Sequence, residues 1–199
     1  MATPIATSNI VAQAFRLMEL RAFSSLADDS PQAVAAAQQY PEAINLVLEA
    51  YDWSFARKLV TLAPTLTLPD DTVADPDLAG LFTLPADYLT LRRVYPDDLA
   101  FRVDQGVLRA AQTTALTILY TAHQDNEDRM PAAFKLAVAL QLAVLLAPEW
   151  VAARTKRLAL QDELKLAVAA ARRADGATAS HRRLDGRAAV GDWASEAIV

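Results

Sequence analysis

Apolar residues recur at spacings of three and four near the start of the chain. Ile10, Val11, Ala14, Phe15, Met18 and Leu26 fall along one helical stripe, and Ser8 or Asn9 can cap the first turn. This pattern predicts a helix over residues 8–26. Asp28-Asp29-Ser30-Pro31 interrupts it, with Ser30 suited to an N-cap and Pro31 to the first helical position. A second helix is expected over 31–58, with Val34, Ala37, Ile44, Val47, Leu48, Tyr51 and Phe55 on its buried side. Pro41 lies within that span, and an interior proline removes a backbone hydrogen bond, so two helical pieces are expected there.

From residue 59 to 121 the period shortens to two. Leu62, Leu66 and Leu68 alternate with polar or small residues, and Pro64 and Pro69 interrupt them. Residues 70–77 are acidic and contain proline, as a surface loop does. Residues 81–85 read as a short extended piece and 88–95 as a strand. Phe101 to Arg109 reads as a tight hairpin in which Gly106 supplies the positive φ of the turn. Residues 115–121 alternate and are rich in β-branched side chains, as a half-buried strand is.

The helical period returns at Pro131. Residues 131–148 are apolar nearly all round, which implies burial on several sides, and Pro148 is expected to end the helix. A last helix is expected over 149–173, its stripe made of Val151, Leu158, Leu164 and Val168, with Ala152, Ala153, Ala167, Ala169, Ala170 and Ala171 permitting close approach. The pattern stops after Ala174. The expected fold is therefore mainly α: a bundle of about four helices, a small antiparallel β-region inserted between helices 2 and 3, and an extended C-terminal tail. Residues 1–174 form the domain and 175–199 the tail. That tail carries Arg182, Arg183 and Arg187, then Trp193, Ile198 and Val199, which are costly to leave in water and suit docking on a partner.

Composition narrows the classes. Hydrophobic residues make up 53% of the 199 and charged residues 22%, which supplies one sizeable core and excludes global disorder. No cysteine is present, so no disulfide framework and no thiolate zinc site is possible. Residues 132–147 form the most apolar run, shorter than the roughly 20 residues of a spanning helix and containing Lys135 and Gln141, so a buried core helix is expected and no membrane partner. No basic, then apolar, leader opens the chain. The net charge of −5 is unevenly spread. Residues 70–104 hold eight acidic groups against three arginines, whereas residues 149–187 hold nine basic groups against five acidic ones. The two blocks are either solvated faces or complementary halves of a head-to-tail contact between copies.

Candidate chemistry is sparse. His123 with Asp125 or Asp128 is the one conceivable metal arrangement, but no second ligand stands at a recognised spacing, and a polar surface loop accounts for it. His181 falls in the linker. Adjacent aspartates (28–29, 70–71, 97–98) do not give two carboxyls in different environments of one cleft, which acid/base hydrolysis needs. No nucleophile elbow or phosphate-binding glycine loop is present. Arg172, Arg173, Arg182, Arg183 and Arg187 are the one basic cluster. Without interleaved aromatics they suit an acidic protein surface better than nucleic acid. Trp53 and Phe55 read as packing residues. No catalytic residue, metal or cofactor is expected.

One succession of segments is more specific. Trp53-Ser54-Phe55-Ala56-Arg57-Lys58 leads into a Leu/Pro stretch, then Leu84-Pro85-Ala86-Asp87-Tyr88-Leu89-Thr90-Leu91-Arg92-Arg93-Val94, the 101–109 hairpin, Leu119-Tyr120, and Met130-Pro131-Ala132-Ala133-Phe134 opening an alanine-rich helix. Over residues 8–174 this order resembles the head-to-tail adaptor (connector) family of tailed phages and gene transfer agents, including proteins of the tail tubular protein A type. The resemblance implies a structural virion protein of the phage neck, made in the host cytoplasm and not an enzyme. It would form a ring, usually of about twelve copies, between the portal and the next tail or stopper protein. DNA would pass through the lumen at genome ejection without sequence-specific binding. Arg182, Arg183, Arg187, Trp193, Ile198 and Val199 would dock on the portal. The competing readings are a small helical interaction or regulatory module and, behind it, a metal-dependent hydrolase.

Overall fold

A computed structural model of the chain describes residues 9–21, 29–65 and 75–177. Helix α1 (Asn9–Leu17) buries Ile10, Val11, Ala14 and Phe15, the stripe expected for it. It is shorter than expected. Glu19 adopts a left-handed φ of 64°, and the Leu20 and Glu19 N–H groups donate to the Phe15 and Arg16 carbonyls. That closes the helix in a Schellman cap without the glycine that normally announces one. Leu26 lies outside the described residues.

Helix α2 (Pro31–Glu49) starts where the sequence marks it. The Ser30 side chain accepts from the Ala33 N–H, and Pro31 takes the first helical position. Pro41 does not divide it. The proline is solvent-facing, as is Ala37, whose carbonyl loses its partner where water can replace it. The stripe also differs from expectation in its first half. Ala33, Ala36 and Tyr40 are buried, while Val34 is 48% exposed. The helix stops at Glu49 rather than Lys58, so Tyr51 and Phe55 are not on it. The Arg57 guanidinium donates to both the side chain and the carbonyl of Asp52, which folds the chain back through a short 3₁₀ turn (Ser54–Ala56) into a strand.

Helix α3 (Ala132–Trp150) packs against α1, α2 and the last helix, α4 (Arg154–Gly176). By length and composition α3 is apolar enough to cross a membrane, and half of that apolar stretch is buried, with three helices packed against it. Pro131 is its N-cap. Pro148 sits in its last turn without ending it, because the Val151 N–H still reaches the Ala147 carbonyl. Residues 151–153 then separate α3 from α4, which buries Leu160, Ala167 and Ala171 and leaves Leu158 outward. The four helices of the described residues belong to one compact unit, formed by the described parts of 9–51 and 125–177.

The second unit, within residues 52–124, holds six strands among its described residues: β1 (Arg57–Leu62), β2 (Gly80–Thr83), β3 (Tyr88–Tyr95), β4 (Phe101–Asp104), β5 (Val107–Ala110) and β6 (Leu116–Ala122). They form two antiparallel three-stranded sheets, ordered β1-β6-β3 and β2-β5-β4. This corrects the mainly α expectation. The β-region is not a minor insertion in a helical bundle, because its two sheets enclose a core of their own, and the fold is α+β. Leu116, Ile118, Tyr120 and Ala122 alternate inward along β6 and meet Phe82, Leu108 and Ala110 of the other sheet, with Val94 and Leu62 beside them. The β4–β5 hairpin turns on Gln105 (φ 49°) and Gly106 (φ 80°), two positive values in succession, as a type I′ turn requires. Gly80 is needed for a different reason. A Cβ there would lie 1.8 Å from the Gln112 carbonyl oxygen, so β2 approaches the 111–115 turn more closely than any side chain allows.

Candidate functional site

Three of the segments that carried the resemblance, those of Lys58, Asp87 and Tyr120, are bound to one another within the β unit. The Lys58 ammonium, at the end of the Trp53–Lys58 segment, donates to the Asp87 carboxylate at the head of β3. The Tyr120 hydroxyl of β6 donates to the other Asp87 oxygen at 2.9 Å. The Asp87 carbonyl also accepts from the His123 N–H. The Lys58 hydrogen bond holds the Asp87 carboxyl below its ordinary pKa, with the Tyr120 hydroxyl adding to it. Burial, together with Asp87, pushes the Tyr120 phenol up to about 12. Tyr88 stacks near Tyr120 with ring centroids 5.9 Å apart, and its hydroxyl accepts from the Leu91 N–H. These motif residues therefore lock three strands together.

A depressed carboxylate pKa stabilises the fold above the unfolded-state value of about 3.9 and ceases to do so as pH falls through the folded value. Asp87 and Lys58 are both more than a third exposed, so screening holds the gain below about 1 kcal/mol. Lys58→Met is expected to lower urea stability by that amount at pH 7. The gap should close as Asp87 protonates in acid, as parallel denaturation curves from pH 7 to 2 will read.

The other residues singled out by sequence do not converge. His123, Asp125 and Asp128 lie on an exposed stretch, and no group of three or more metal-ligating side chains occurs among the described residues. Trp53 is 1% exposed, with the Phe55 ring 6.4 Å away. Arg172 is committed within the helical unit: its guanidinium donates to the Ala50 carbonyl at 2.6 Å and lies over the Tyr51 ring. His181, Arg182, Arg183, Arg187, Trp193, Ile198 and Val199 lie outside the described residues.

The acidic block is less free than its composition suggests. Asp97 pairs with Arg93, Asp87 with Lys58, and Asp75 and Asp104 both with Arg102. The last of these borders a cleft of about 790 Å³ on the β2-β5-β4 sheet, lined by Asp75, Asp77, Arg102, Asp104, Val107 and Arg109 among others. Asp75 is drawn there by strand order: it caps its own turn through the Asp77 and Leu78 N–H groups and reaches Arg102 on the far edge strand. Those backbone hydrogen bonds and then Arg102 hold its pKa low. Sequence reading missed this cluster, since nothing in the spacing of Asp75, Arg102 and Arg109 joins them before the sheet does.

Apolar side chains stand in solvent in both units. On α4, Leu158 is 49% and Leu166 71% exposed, beside exposed Ala159, Ala169 and Ala170. In the β unit, Phe101 and Val103 share the face of Leu108 and Ala110 yet project beyond the core. No protein-family model matches the chain, and no curated protein matches it in sequence.

Proposed function

We propose that the chain is a ring subunit of the head-to-tail adaptor type, which joins a portal to the tail and borders the channel through which DNA passes. One observation carries the reading: the ordered succession of the Trp53–Lys58, Leu84–Val94, 101–109 and Met130–Phe134 segments between two pairs of helices. In this reading the protein acts by shape and repeated contact. The outward face of α4 supports it, because exposed Leu158 and Leu166 with three alanines flank the exposed Asp162–Lys165 pair and offer a mixed apolar and charged face to a neighbouring copy. A contact between unlike faces of successive copies closes into a ring when its rotation allows. That face is a better subunit contact than the acidic block, much of whose charge is already paired. The tail residues Arg182, Arg183, Arg187, Trp193, Ile198 and Val199 would add a separate anchor to the portal.

The test is assembly. Purified protein mixed with portal rings of a tailed phage, followed by native mass measurement and electron microscopy, is expected to give a ring of about twelve copies on each portal. A protein that stays monomeric with and without portals, and turns over a substrate instead, overturns the reading. Leu158→Glu with Leu166→Glu should prevent ring closure while leaving the helical circular dichroism unchanged.

A further inference from the structure

We infer that the cleft on the β2-β5-β4 sheet is a binding site for a zwitterionic ligand, whose carboxylate Arg109 receives and whose cationic group faces Asp77. The inference stands apart from the ring reading and does not need it. Register places Arg102 directly opposite Arg109. Like charges facing each other across strands are unfavourable, so both depend on carboxylates nearby. Arg102 has them: its Nε lies 2.7 Å from the Asp104 carboxylate and its Nη2 2.9 Å from Asp75. Arg109 does not. Among the described residues its one partner is the same Asp104 oxygen, 3.5 Å from its Nε.

The burial is the reverse of what pairing would lead one to expect. The Arg102 side chain is 56% exposed, where water would serve it, and the Arg109 side chain is 7% exposed. A guanidinium removed from water needs carboxylates and hydrogen bonds to offset its desolvation. The alternation Asp75–Arg102–Asp104–Arg109 thus ends on an almost buried cation that, among the described residues, meets one carboxylate at 3.5 Å and opens onto a cleft with room for another anion. A planar carboxylate matches the guanidinium fork with two parallel hydrogen bonds.

The rest of the lining selects the ligand's overall charge. Three carboxylates (Asp75, Asp77 and Asp104) face two guanidiniums, so the cleft is already net negative. A phosphate dianion or a dicarboxylate would add repulsion. Asp77 is exposed and has no cationic partner among the described residues. A ligand bearing both a carboxylate and an ammonium or guanidinium group answers the two open charges without raising the net charge. A free amino-acid-like molecule and a Lys–Glu pair on a protein segment share this chemistry.

The experiment is an NMR titration of the full chain, reading the Arg109 side-chain Nε–Hε resonance. The probes are 4-aminobutyrate, butyrate, butylamine, inorganic phosphate and a short peptide with blocked ends carrying one Lys and one Glu. Saturable movement with 4-aminobutyrate is expected, at least threefold tighter than with butyrate, and none with butylamine or phosphate. Saturation with the peptide alone also upholds the site and identifies a protein segment as its source. Arg109→Lys should weaken binding about tenfold, and Asp77→Asn should abolish the preference for 4-aminobutyrate over butyrate. If Arg109→Lys fails to fold, the wild-type titration and the Asp77→Asn variant decide. No saturable response to either zwitterion or peptide, or tighter binding of phosphate, overturns the inference.

Discussion

Replacing Phe82 by alanine is expected to destabilise the β unit by about 3–5 kcal/mol, the range for truncating a fully buried aromatic in a core that cannot collapse around the space left. Phe82 is 0% exposed on β2, faces Leu108 across the β2–β5 ladder, and lies in the cluster with Val94, Ile118 and Tyr120 of the other sheet. Domains have only about 5–15 kcal/mol of stability in total, so one such loss brings the unit close to unfolding at body temperature. Phe101→Ala is the control. Phe101 carries the same ring on the same sheet but is 45% exposed, and its loss should change stability by less than about 0.5 kcal/mol. Urea denaturation gives the totals. Amide exchange should place the Phe82→Ala loss in β2, β5 and β6. Equal effects from the two variants would mean that the sheets do not enclose the core described here.

The second large effect concerns the proposed portal anchor. Truncation at Ala179 is expected to lower affinity for portal rings more than a hundredfold while leaving the fold unchanged. The folding half of that expectation rests on α4, which ends at Gly176 and closes its last turn through the Ala177 N–H to the Arg173 carbonyl. The removed segment begins beyond that cap. The binding half rests on multiplicity. Each seated tail raises the effective concentration of the next around a ring, so a weak contact repeated in every copy becomes a strong one, and its removal is felt in every copy. Trp193→Ala alone, in the full-length chain, should reproduce most of the loss, since tryptophans dominate interface energetics. Surface-immobilised portals titrated with full-length and truncated chains provide the measurement. Normal binding by the truncated chain would remove the tail from the proposal and leave the outward face of α4 as the principal contact.

The strands were the most legible part of the sequence, and the reasons are local. Tyr88–Tyr95 and the 101–109 hairpin have short alternating patterns, and Gly106 marks a turn whose φ other residues resist. Helix ends were less legible because what stops them is not periodic. Apolar spacing continues past Glu49 through Tyr51 and Phe55, and the break comes from one guanidinium folding onto Asp52. The cap at Glu19 uses a residue that rarely adopts a left-handed φ. In α2, valine outweighs alanine on any hydrophobic scale, yet Ala33 and Ala36 are buried and Val34 is not, because small residues let a helix approach its neighbour closely. Two sheets instead of one could not be read from six short strands, since pairing partners such as β1 and β6 stand far apart in sequence. The cleft was invisible for the same reason. Asp75 and Arg102 become neighbours only through strand order, and Arg109 sits on the outward-facing row of β5, where burial is not expected.

The β unit begins and ends on paired strands: β1, its first, lies antiparallel against β6, its last, with Arg57 beside Thr121. Backbones so paired run about 5 Å apart, so the unit leaves the helical chain and returns to it at nearly one point. Loops within such a cassette can lengthen, shorten or change chemistry without altering the distance that the helices must span. A lineage carrying this architecture is free to vary what the strands present, cleft included, while conserving the helical frame, and an engineer can exchange one such insert for another at the same two joints.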